Sequence, residues 1–67
     1  MWWVDRREMR MLLLRVVFGI EPLEDLESRL RPFGVVIEEQ PAPRVVTYVL
    51  SREGVILAEY RFDSGKN

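Results

Sequence analysis

Two carboxylates stand side by side at Glu38 and Glu39. Paired acids can divide general acid and base work when their environments separate their pKa values. Their segment, "VVIEEQ", alternates like a strand, and neighbouring strand residues point to opposite faces, so the two acids do not easily share a reaction centre. Glu38 or Glu59 with Asp63 offers oxygen ligands for a hard cation such as Mg²⁺, but their spacing forms no known metal loop. The hydroxyls are Ser28, Ser51, Ser64, Thr47, Tyr48 and Tyr60. With no His and no Cys in the chain, none can pair with an imidazole base, and thiolate or imidazole metal sites are excluded. Lys66, the one amine side chain, lies in the tail. This inventory offers no catalytic residue, no metal site and no cofactor site, and argues against an autonomous enzyme.

A second constellation is basic and aromatic. Trp2 and Trp3 precede Arg6, Arg7 and Arg10, a combination that suits nucleic acid because indoles stack on bases while guanidinium groups neutralise phosphate. The rest of the chain supplies no basic face, and the net charge is -1, so no long-range field gathers a polyanion. The alternative role for the tryptophans is packing at a sheet edge or anchoring an interface. "FGIEP" places Gly19 ahead of a helix, where a phosphate could meet the N-terminus, yet Glu21 and Glu24 would repel it. Charge is unevenly divided: four arginines stand against two acids in residues 1–20, while residues 21–39 carry six acids against Arg29 and Arg31. Nine of the ten cationic residues are Arg, a bias that GC-rich coding or a thermophilic source would produce.

These residues must be positioned by few elements. "EPLEDLESRLRPF", Glu21 to Phe33, is the clearest helix: Pro22 opens it, Leu23, Leu26, Leu30 and Phe33 share one face, and Pro32 and Gly34 end it. Asp25 with Arg29 and Glu27 with Arg31 are spaced as i,i+4 ion pairs. A strand follows over "VVIEEQ", then the proline-flanked connection "PAP", then a hairpin over residues 44–62 turning at "REG". Val46, Tyr48, Leu50, Ile56, Ala58, Tyr60 and Phe62 are the expected core positions. The opposite face carries Val45, Thr47, Val49, Val55 and Leu57, more apolar than a solvated surface requires, and these five are the expected oligomer interface.

The opening segment reads two ways. Asp5 and Glu8 form a capping-box-like pair, and Met9, Leu12, Leu13, Val16, Val17 and Ile20 follow a helical stripe. Met11, Leu14 and Phe18 fall off that stripe, and "VVF" favours a strand, so a doubly buried strand over residues 11–18 accounts for every apolar residue there. The strand reading is preferred. It makes residues 1–67 one α+β domain, a two-layer βαβββ sandwich with a mainly antiparallel sheet and one helix, and with 1–9 and 63–67 as flexible ends. The alternative is ααβββ with an N-terminal helix.

The βαβββ order resembles one module of the vicinal oxygen chelate superfamily, the glyoxalase and bleomycin-resistance type, with "SREGVILAEYRF" as its last hairpin. That resemblance implies modules paired around a pocket, without the family's metal chemistry, because its histidine ligand is missing. "LLLRVVFGIEPLEDLESRLRPFGVVIEE" resembles the opening of ACT-like and ferredoxin-like regulatory domains, without their glycine-containing ligand loop. The helical alternative resembles a winged-helix reader with "SREG" at the wing tip, although its recognition helix would present acids to DNA. A chain of 67 residues buries only roughly 60% of its unfolded surface. Without disulfide or metal, oligomerisation is the remaining support. Arg15 interrupts the apolar run that imitates a signal peptide, and the run is too short to span a bilayer. The expectation is a cytoplasmic, self-associating binding or regulatory module, most simply a homodimer. A nucleic-acid-binding protein or a dimeric small-molecule-binding protein is the alternative.

Overall fold

The computed structural model describes residues 5–63. Two helices are followed by a three-stranded antiparallel meander: α1 (Arg6–Val17), α2 (Leu23–Leu30), a 3-10 turn (Arg31–Phe33), β1 (Val35–Pro41), β2 (Val45–Arg52) and β3 (Val55–Asp63). The strands lie in the order β1-β2-β3. The chain is therefore α+β, but the first element is a helix, which corrects the βαβββ order to ααβββ and the single helix to two. Both family resemblances built on a leading strand lose that strand.

Local chemistry and packing explain the outcome together. The Asp5 carboxylate accepts the Glu8 backbone N–H at 2.8 Å, closing the N-terminus of α1. At the other end Gly19 adopts φ +76°, Ile20 N–H donates to the Arg15 carbonyl at 2.8 Å, and Gly19 N–H donates to Val16 at 3.0 Å. These are the two bonds of a Schellman stop, which needs a residue without Cβ at Gly19. The β-prone run "VVF" thus occupies only the last turn and the cap, where its poor helix propensity matters least. Met9 and Leu13 are fully buried, and Leu12, Leu14, Val16 and Val17 pack partly against the same core. Met11, Phe18 and Ile20 remain more than half exposed. Apolar residues on both sides of this helix are what made it resemble a buried strand.

Below the helices, the core takes Leu26 and Leu30 from α2, Val35 and Ile37 from β1, Tyr48 and Leu50 from β2, and Ala58, Tyr60 and Phe62 from β3. Two expected core residues lie elsewhere. Phe33 is 43% exposed, because the 3-10 turn that Pro32 enters rotates it away from the Leu26–Leu30 face. Ile56 is 58% exposed because a β-bulge intervenes: Leu50 pairs with Ala58 but Ser51 pairs with Ile56, leaving Leu57 as the extra residue. The bulge moves Ile56 onto the open face beside Ser51. Beyond it, Glu53 and Gly54 both take positive φ in the two-residue turn that the right-handed twist of the hairpin favours.

Leu13→Ala is expected to lower the unfolding free energy by about 2–4 kcal/mol, read as a reduced urea midpoint by circular dichroism. Gly19→Ala, which meets open space but keeps a left-handed backbone, is expected to cost about 1 kcal/mol in the same assay.

Candidate functional site

The structure first shows how the candidate chemical groups are already engaged. Glu38 pairs in register with Val49, whereas Glu39 accepts a 2.8 Å hydrogen bond from the Tyr48 hydroxyl. Tyr48 is buried beneath the helices, so the two acids do lie on opposite faces of β1. Burial pushes the Tyr48 phenol well above the ordinary tyrosine range, and its bond to the Glu39 carboxylate raises it further. Glu59 and Asp63 are four residues apart along β3, about 13 Å in an extended strand, too far for one cation. Among the described residues no group of three or more acids is placed to hold a metal.

The basic segment is also used internally. Arg6 sits 5.2 Å over the Tyr60 ring and Arg10 sits 4.9 Å over the Phe62 ring, while Tyr48 meets Phe62 edge to face at 6.0 Å. Guanidinium groups on aromatic faces contribute about 0.5–1 kcal/mol each at exposed sites. They pin the start of α1 to β3. The Tyr60 hydroxyl is buried with no hydrogen-bond partner among the described residues. Burial raises its pKa, while Arg6 and Arg10 pull the other way. Arg7 is exposed, and Trp2 and Trp3 lie outside the described residues.

Between the helices, Glu21 takes one arginine from each: Arg15 Nε of α1 at 3.1 Å and Arg29 of α2 at 3.3 Å, one on each carboxylate oxygen. Arg29 thus turns to Glu21, where the spacing had suggested Asp25. The half-exposed arginine partners of Glu21 limit the contribution to under about 1 kcal/mol per pair.

What remains is surface. The helix-free face of the sheet is built from Val36, Glu38 and Gln40 on β1, Val45, Thr47, Val49 and Ser51 on β2, and Ile56, Leu57, Glu59, Arg61 and Asp63 on β3. Of the five residues expected at an interface, Val45, Thr47, Val49 and Leu57 share this face. Val55 does not, because after the bulge it pairs with Arg52, in the row that continues to the buried Val35. Val49 is only 9% exposed between Glu38 and Glu59 in register, so its burial is largely achieved within one chain. Val36 at 61% and Ile56 at 58% were missed, Ile56 because a bulge leaves no simple trace in an alternating pattern. A separate groove of about 180 Å³ runs between α2 and the outer edge of β1, lined by Glu27, Arg31, Val35, Val36 and Ile37.

No protein-family model matches this chain, and neither a curated protein nor a solved structure matches it. Geometry alone carries the functional reading. No described helix is long and apolar enough to cross a membrane.

Because folding keeps both phenols protonated past their ordinary pKa of about 10, the stability they contribute is complete below that pH and is lost as pH rises above it. The urea midpoint is therefore expected to hold from pH 7 to 9 and to fall above about 10, with tyrosinate absorbance rising alongside unfolding. Tyr48→Phe should weaken this alkaline loss.

Proposed function

We propose that the protein is a small cytoplasmic binding or regulatory module that self-associates through the helix-free face of its sheet. The observation that carries the reading is exposed Val36 and Ile56, in one row across Ser51, with Leu57 beside them, on a face that Val49, Thr47 and Val45 continue along β2 and that nothing within the described residues covers. Antiparallel sheets tolerate one solvated face when it is polar, and this one is mixed.

A second copy is the occupant that the charges favour. Glu59 and Arg61 are successive residues on this face of β3, in register with Val49 and Thr47. A twofold axis across the strands between those two rows lays Glu59 over the partner's Arg61, and Arg61 over the partner's Glu59. It also sets Val49 over the partner's Thr47 and Ser51 over its Val45, and brings Ile56 opposite its Asp63 at the rim. An isologous contact of this kind is self-complementary by construction. The nucleic-acid reading is less favoured, since Arg6 and Arg10 are stacked on the protein's own rings. A small-molecule pocket between two such sheets finds no comparable support.

Leu57→Asp and Ile56→Asp are each expected to halve the solution mass measured by light scattering across a concentration series, with far-ultraviolet circular dichroism unchanged. Pairing Glu59→Arg with Arg61→Glu should restore association that either change alone weakens. An unchanged mass in both aspartate variants would remove this interface.

A further inference from the structure

The outer edge of β1 and the groove beside it form a second surface, which meets the open face at Val36 and Glu38. Ala42 N–H donates to the Val45 carbonyl at 2.9 Å, which marks that pair as a hydrogen-bonded row of the β1–β2 ladder. Such rows alternate in an antiparallel pair, so the backbone groups of Val36, Glu38 and Gln40 turn inward to β2 while those of Val35, Ile37 and Glu39 turn outward. Pro41 falls on the outward set, where its missing N–H costs no ladder bond and marks the end of a usable edge.

The two edges of the sheet differ. On β3, the bulge at Leu57 and the alternating Glu59, Arg61 and Asp63 blunt the strand in the ways proteins use to prevent pairing. The first half of β1 carries no charge at all: Val35, Val36 and Ile37 run unblunted beside the groove that Glu27 of α2 and Arg31 of the 3-10 turn border. A helix flanking an open strand edge is the arrangement in which an extended segment adds to a sheet, with main-chain bonds giving affinity and groove contacts giving selectivity.

We propose that this edge accepts an extended polypeptide segment of a partner as a fourth, antiparallel strand, and that the segment reads two basic residues followed by three apolar or β-branched ones. The sequence requirement follows from cross-strand pairing. Opposite Glu39 and Glu38 the incoming strand places its first two residues, and opposite Ile37, Val36 and Val35 its next three. Opposite charges in direct register attract and like charges repel. Glu27 and Arg31 border the groove from the helix side and offset one another, so the preference rests on Glu38 and Glu39. The first, third and fifth residues fall on the helix-covered side; the last two of these are apolar and enter the groove. A bare strand suits the opening better than a second copy of this chain, which would bring its own Glu38 and Glu39 to the same acidic edge, and its own α2 over it.

The test uses the full chain carrying Leu57→Asp, so that the open face does not contribute and failure of the self-association reading is scored separately by mass. Three capped synthetic peptides serve as probes: arginine-lysine-valine-threonine-valine, the same peptide with glutamates in place of the two basic residues, and the first peptide N-methylated at the residues whose amides face β1. The first is expected to slow amide exchange at Val35, Ile37 and Glu39, leaving Val36, Glu38 and Gln40 unchanged. The acidic and N-methylated probes should bind at least tenfold more weakly. Glu38→Lys should reverse the order of the first two. Equal binding of all three probes, or absence of the alternating protection, would overturn the proposal. So would concentration-dependent protection of the same three amides without peptide, which would assign the edge to a second copy.

Discussion

Docking of α1 on the sheet is the interaction on which the rest depends. A three-stranded meander cannot bury both of its faces, and its helix-side core residues, Tyr48, Leu50, Tyr60 and Phe62 among them, need a cover. α2, with eight residues, is too short to provide it alone. Met9 and Leu13 complete it from α1, and both are wholly removed from solvent. At about 25 cal/mol per Å² of apolar surface, such burial outweighs any single surface pair in the molecule. Arg6 and Arg10 extend the contact outward by lying on Tyr60 and Phe62.

That docking also determines where charge is spent. The left-handed stop at Gly19 reverses the chain, and Glu21 then ties Arg15 on one helix to Arg29 on the other. The Glu39 carboxylate is committed to Tyr48, a phenol held neutral by burial. Groups that would be candidates for acid-base or phosphate chemistry in isolation are therefore parts of a small scaffold holding itself together. The surfaces left over are apolar or backbone: the face around Val36, Ile56 and Leu57, and the open edge of β1. These two surfaces are what the proposed recognition of another polypeptide rests on.

The bulge at Leu57 links the two halves of this picture. By shifting Ile56 from the core row to the open face it enlarges the apolar cluster there, and by kinking β3 it makes that edge a poor template for pairing. One extra residue thus adds to the apolar surface of the face and leaves β1 as the unblunted edge.

Much of this was legible in the residues. Alternation over 35–40 and 45–62, the proline-flanked connection, and the Glu53-Gly54 turn specify the meander, because period-two patterning and positive-φ turns are local properties. The limits of α2 were similarly written in Pro22, Pro32 and Gly34. The opposed directions of Glu38 and Glu39 follow from strand geometry alone. Residues 5–18 were not decided locally: the caps at Asp5 and Gly19 favoured a helix, the run "VVF" favoured a strand, and apolar residues at Met11 and Phe18 that remain exposed obscured the period. Only the chance to bury Met9 and Leu13 against the sheet settled the balance, and that contact joins residues roughly fifty positions apart. The bulge, the choice of Glu21 by Arg29, and the side of the sheet on which Val55 and Ile56 fall are likewise products of pairing and packing. No single strand carries that information, since register exists only between strands.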